Sequence, residues 1–213
     1  MSRVCLVVLV AGVWAAPAGA QHASVGAAFV FADYREVSQD LRYQGVGPGV
    51  IARLSFHSIS FEGGAAWLDM SPHGGLATSG FQAVQLDGWL RWKAADYLSF
   101  EAGLTHQAPD NEFAAQSFGA VRIGALTQYP LGHGATIALR GDYLGGAHFS
   151  GGGEAPLALE LGLIVNWAFS SHVTALVDYA FQRLDRTTHP GGGAETAAPL
   201  EQSRGRMGLV IGF

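Results

Sequence analysis

Apolar side chains recur at every second residue through ten segments of this chain. Beyond residue 20 they never run together for the roughly 18 residues that a membrane helix needs. A period of two is the signature of strands with two unlike faces. Ser24–Tyr34 carries Val25, Ala27, Phe29 and Phe31 on one parity. In the second segment Val46, Pro48, Val50, Ala52, Leu54 and Phe56 alternate with Gly45, Gly47, Gly49, Ile51, Arg53 and Ser55. The third sets Ile59, Phe61, Gly63, Ala65 and Trp67 against Ser60, Glu62, Gly64, Ala66 and Leu68. The fourth sets Val84, Leu86, Gly88, Leu90 and Trp92 against Gln85, Asp87, Trp89 and Arg91. Leu98–Gln107, Gly119–Tyr129, Ala135–Tyr143, Leu157–Trp167, Val173–Phe181 and Arg204–Phe213 complete the set. Segments of about 9–13 residues suit tilted strands that cross a bilayer.

The connections alternate in length. Those at His57-Ser58, Lys93–Asp96, Pro130–Gly134 and Ser170–His172 are tight. Those at Arg35–Gln44, Asp69–Ser79, Ala108–Gln116, Leu144–Pro156 and Leu184–Glu201 are long, and rich in Gly, Pro and charge. This pattern predicts an all-β fold: a single ten-stranded antiparallel up-and-down transmembrane β-barrel, with short turns at one end and long loops at the other. Eight strands is the alternative count. Both termini belong at the end with the short turns.

Residues 1–20 read as a signal peptide: Arg3, an apolar stretch from Val4 to Ala16, then Ala18-Gly19-Ala20 before the cut. Residues 21–213 form the barrel domain. Cys5, the one cysteine, leaves with the leader, so no disulfide or thiol chemistry is expected.

Parity alone does not say which face meets water. A soluble, lipocalin-like barrel would turn the apolar parity inward. The other parity would then make a poor aqueous surface, since it is built of Gly, Ala, Ser and Thr with few charges. Small residues suit the inside of a narrow cylinder. The apolar parity also carries aromatics near its two ends. Phe56, Trp92, Tyr129, Trp167 and Phe213 lie towards the turns; Phe31, Trp67, Phe81, Tyr143, Tyr179 and Phe181 lie towards the loops. Two such girdles mark two membrane interfaces.

The last residues, Met207-Gly208-Leu209-Val210-Ile211-Gly212-Phe213, alternate apolar side chains up to a terminal Phe. In this the chain resembles the bacterial outer-membrane β-barrel proteins of Gram-negative cells. The resemblance implies an outer-membrane location, termini in the periplasm, and contact with membrane lipid and lipopolysaccharide. It also implies an assembly signal at Phe213, read by the barrel-assembly machinery. The omptin proteases of that superfamily carry paired acidic and Asp-His motifs that are not found here.

Twelve ionisable residues have inward parity: Arg53, Arg91, Arg122, Arg140, Arg204 and Arg206 against Glu62, Asp87, Glu101, Asp142, Glu160 and Asp178. The long loops, with Asp33 and Arg183 at the strand ends beside them, hold ten acids and four arginines. Balanced charges at close quarters favour ion pairing in a plugged or very narrow lumen over an open polar pore. A two-residue turn at His57-Ser58 sets Arg53 opposite Glu62, and a turn centred on Gly132 sets Arg122 opposite Asp142. The function expected is a narrow, porin-like channel or a structural or surface-interaction protein. No cofactor, metal or nucleic acid is expected, because no glycine motif precedes a helix and no basic stripe occurs.

Two chemical alternatives remain. His73, His106, His148 and His189 fall in or beside four outer loops and could converge on zinc or copper. His148 and Ser150, with Glu154 or Glu160, loosely resemble the His-x-Ser pair of outer-membrane lipid A deacylases, which implies His as base and Ser as nucleophile. Ser150 runs into Gly151-Gly152-Gly153 rather than an Asn-containing stretch, and Glu160 has inward parity.

Overall fold

A computed structural model describes residues 22–188 and 195–213. The expected leader lies outside the described residues. Ten long strands follow one another: β1 His22–Glu36, β2 Leu41–Phe56, β3 Ile59–Gly75, β4 Phe81–Ala95, β5 Leu98–Pro109, β6 Phe118–Gly132, β7 Ala135–Phe149, β8 Ala158–Ala168, β9 Val173–Leu184 and β10 Leu200–Gly212. Each pairs antiparallel with the next, and β10 pairs with β1, Val25 facing Ile211 and Phe29 facing Met207. The sheet is thus a closed barrel with no free edge, as a bilayer demands of strands. The count is ten, not eight.

The strands run further than the alternation suggested. β3 has 17 residues and β2 has 16, well beyond the roughly 9–11 that cross a bilayer. The expected loop Arg35–Gln44 is mostly ladder: Arg35 faces Arg42 and Glu36 faces Leu41, so only 37–40 turn. Asp69–Gly75 likewise belongs to β3, and Leu144–Phe149 to β7. Short two-residue strands at Glu154–Ala155 and Thr187–Thr188 extend the sheet past β7. Peptide groups outside the membrane still need partners, and continued pairing supplies them.

What changes along each strand is the face that is apolar. In β3 the outward residues are Ile59, Phe61, Ala65 and Trp67, then Asp69 and Ser71; the inward ones are Glu62 and Ala66, then Leu68 and Met70. β1 repeats this, with Phe29 and Phe31 outward, then Asp33 and Arg35, while Val30, Ala32 and Tyr34 are buried inside. The turn-side part of the barrel is apolar outside and polar inside. The loop-side part is built the opposite way, as a barrel standing in water would be.

The β2–β3 register sets Arg53 opposite Glu62, as expected. The β6–β7 register differs from the expected one: Arg122 faces Leu144, and Asp142 faces Gly124. The turn proper is His133-Gly134, both with positive φ (51° and 77°), and Gly132 (φ 87°) sits in a bulge just before it. Moving the turn centre from Gly132 slides the ladder by one rung on the same face, which preserves parity and changes partners.

Candidate functional site

The inside of the barrel is stacked in layers, and the charged layer lies between an apolar cap and a chamber. All twelve inward charges join one connected network. Glu62 accepts from three arginines: Arg53, at a very short separation, Arg91 at 2.9 Å and Arg206 at 3.4 Å. Arg91 reaches on to Glu101 at 2.6 Å, and Arg206 to Asp178 at 2.7 Å. Towards the loops, Arg122 bridges Asp87 and Glu160, both at 2.9 Å. Arg204 holds Asp87 at 2.8 Å, and Arg140 spans Glu160 (2.7 Å), Asp142 (3.4 Å) and Glu101 (3.9 Å). Six cations and six acids balance inside the cylinder.

Two other kinds of residue hold this belt in shape. Trp89 points inward from β4, and the guanidinium carbons of Arg122, Arg140 and Arg91 lie 4.7, 5.0 and 5.7 Å from its ring centre. A buried indole face attracts each of them and fills the middle of the lumen with bulk. Glycines on neighbouring strands make room at the wall: a Cβ at Gly162 would come within 3.1–3.3 Å of the Arg140 guanidinium, and one at Gly124 would collide with the Asp142 carboxylate.

Above the belt, Gln85, Gln107, Gln182 and Gln202 are buried with Thr105. Thr105 donates to Asp87 at 2.9 Å, and Gln182 donates to Glu160. Above them again comes a dry cap in which Leu68, Met70, Leu144, Leu184 and Leu200 are at most 2% exposed. Phe81 belongs to this cap. The girdle expected for it is corrected: Phe81 has the parity of Arg91, so it turns inward and packs on Tyr43 and Phe113 with ring centres 5.1 and 4.5 Å apart. Phe113 comes from the 3-10 turn Asn111–Gln116, which folds over the mouth; Tyr34 donates to Gln116 at 2.7 Å. The cap was missed because its residues lie where loops were expected. The signal was present in the exchange of parity at Trp67/Leu68 and its counterparts.

At the turn end a second apolar cluster, Ile51, Leu126, Ala138, Ile164 and Leu176, closes part of the cross-section. Below it the barrel opens into cavities of about 310 and 300 Å³, the first more polar and the second mixed.

The outward surface between the girdles is apolar and exposed, with Phe61, Leu90, Phe100, Leu104, Ile123, Leu139, Leu161, Val177 and Leu209 among its residues. Phe31, Tyr143 and Tyr179 lie at its loop side, and Trp92, Tyr129, Trp167 and Phe213 at its turn side, all exposed outward.

The chemical alternatives lie outside this lumen. His148 is in β7 rather than a loop, facing Glu154 in register, and its Nδ1 lies 3.1 Å from the Gly146 carbonyl. Ser150 is exposed on the same side. Glu160 is on the other side of the sheet, held by Arg122 and Arg140. His106 and His148 flank Gly119 on adjacent strands. His189 lies outside the described residues, and no cluster of metal-ligating side chains occurs among those described.

No family model matches the chain. No curated protein matches it in sequence. Among solved structures the chain is similar to the outer-membrane protease OmpT of Escherichia coli, at 10% identity over 90% of this chain and 96% of that one, with a TM-score of 0.49. It is similar to an outer-membrane channel of Pseudomonas putida F1 (14% identity, 92% and 96% covered, TM-score 0.48). It is similar as well to the attachment invasion locus protein Ail of Yersinia pestis (11% identity, 90% and 98% covered, TM-score 0.42). A protease, a channel and an attachment protein have no activity in common to pass to this one.

Proposed function

We propose that this protein is a closed, non-conducting and non-enzymatic barrel of the bacterial outer membrane, which carries a sealed, water-exposed crown for surface interaction. The observation that carries the reading is the filling of the lumen by two successive layers, the ion belt and the apolar cap. Charges held by opposite charges offer a passing ion no low-energy path, and a cap built mainly of apolar side chains offers it little solvation. In this reading lipid and lipopolysaccharide contact the girdled belt, the termini and short turns face the periplasm, and the assembly machinery reads the last strand and Phe213.

The test is single-channel recording of the refolded protein in a planar bilayer. Wild-type protein is expected to give no stable conductance steps. Replacing Leu68, Met70 and Leu144 together by Ser removes the cap but leaves the belt, and should still give none. Steady openings of either protein at moderate voltage would overturn the closure.

A further inference from the structure

A closed barrel needs no chamber beneath its seal, yet the turn end holds one. Its two lobes share Arg53, Gln128 and Asn166. The first lobe is polar and cationic: Arg53, Arg91 and Lys93 line it with Ser55, Ser60 and Ser99. Its single acid, Asp96, is already bonded to Lys93 at 2.9 Å. Glu62 and Glu101, the partners of Arg53 and Arg91, are 2% and 1% exposed and line neither lobe. An incoming group therefore meets cations in front and finds their counter-charges behind. The second lobe is mixed: Ile51, Leu176, Val210 and Ala168 make an apolar patch beside Ser24, Thr136, Ser171, His172 and Thr174.

Arg53 is set apart within the network. Its side chain is 37% exposed, whereas those of the other five arginines are at most 11% exposed. Both of its bonds to Glu62 go through Nε and Nη2 to one oxygen, Oε2, which leaves Nη1 for another acceptor. Arg91, in the same lobe, is nine-tenths buried and has no acceptor for its Nη2. Gln128 and Asn166, where the lobes meet, add amide donors.

We propose that this chamber binds a small free monocarboxylate, with its carboxylate on Arg53 and its short apolar stem in the second lobe. One accessible guanidinium matches one negative charge, and a planar carboxylate suits the guanidinium edge. Each lobe lies at the lower end of the size range of small-molecule sites, roughly 300–1,000 Å³, so a guest of few atoms is indicated. The chamber is a dead end only because the lumen above is closed, and to that extent the proposal rests on the preceding reading.

The experiment is saturation-transfer NMR with butyrate on the barrel in detergent micelles, with empty micelles subtracted. Butyrate should bind saturably. Butyramide, of the same shape without the charge, should bind at least about tenfold more weakly, as should butyrate to Arg53→Gln, since each loses a charge-assisted hydrogen bond. Asn166→Trp fills the junction beside Arg53 and should abolish binding. Arg183→Gln, exposed at the opposite end of the barrel and lining neither lobe, should leave it unchanged. Equal binding of butyrate and butyramide, or undiminished binding in Arg53→Gln or Asn166→Trp, would overturn the site. Tighter binding of inorganic phosphate or of acetyl-dialanine than of butyrate would overturn the assignment to a free monocarboxylate. A barrel that conducts yet still binds butyrate through Arg53 would sink the closure and leave the site standing.

Discussion

Glu62 is the residue on which the turn-side half of the belt depends, because one carboxylate serves Arg53, Arg91 and Arg206. Removing it leaves half-exposed Arg53 with no acid and deprives buried Arg91 and Arg206 of one of their two. Glu62→Ala should therefore destabilise the barrel by about 3–5 kcal/mol, the usual cost of breaking a buried ion network by one member. Adding Arg53→Ala should recover little of that loss. Arg53 already borders the chamber and rehydrates there, whereas Arg91 and Arg206 remain inside with one acid each, Glu101 and Asp178. Urea unfolding from lipid vesicles, followed by tryptophan fluorescence, measures both. A double variant restored to wild-type stability would show that the Arg53 pair alone had mattered. The exposed Lys93–Asp96 pair supplies the contrast, and Asp96→Ala should not move the unfolding midpoint. All twelve belt residues were legible from parity, because a period of two assigns a face to each. Their partners were legible only where a tight turn sets adjacent rungs, as for Arg53 and Glu62. Arg122 with Glu160 and Arg204 with Asp87 meet across the cylinder, at a distance that no local register describes.

At the scale of the strand, the membrane boundary is written as an exchange of faces. β3 carries its apolar residues outward up to Trp67 and inward from Leu68, and β1 makes the same exchange after Phe31. Alternation taken as one unbroken pattern stops at that point, and so the loop-side ends of the strands look like loops. Turn chemistry was legible where a two-residue link is flanked by clear alternation. It was not legible at Pro130–Gly134, where the bulge at Gly132 decides the rung. If the loop-side part is a water-type core, weakening it should loosen that part alone. Met70, which is fully buried in the cap, is the residue to change. Met70→Ala should cost about 2–5 kcal/mol in local stability. Hydrogen exchange should quicken in Tyr43–Gly45 and Leu68–Ser71 but stay slow at Val50–Arg53 and Glu62–Ala65. Uniform quickening along both strands would mean that the cap and the belt unfold as one unit.

At the scale of the whole molecule the two halves make different demands on their surroundings, and this gives the barrel a direction. The turn-side half exposes an apolar surface bounded by aromatic girdles and is comfortable only among acyl chains. The loop-side half exposes Asp33, Arg42, Asp69, His106 and His148 and buries its apolar residues, so it must stand clear of the bilayer in water. A crown this tall has strands that continue for several rungs past the girdle, whereas the other end has only turns such as His57-Ser58. Short turns suit the periplasmic side of an outer-membrane barrel and long extensions suit the outside. Ser38, exposed in the turn at the top of β1 and β2, should therefore lie at the cell surface, and Ser58, exposed in the turn between β2 and β3, in the periplasm. With single substitutions Ser38→Cys and Ser58→Cys, a membrane-impermeant maleimide added to intact cells should label the first and not the second. Ser58→Cys should become reactive once the outer membrane is permeabilised, which separates a protected site from an unreactive one. Labelling of Ser58→Cys in intact cells, with Ser38→Cys silent until permeabilisation, would reverse the orientation. It would also place the carboxylate chamber at the cell surface and the sealed crown in the periplasm.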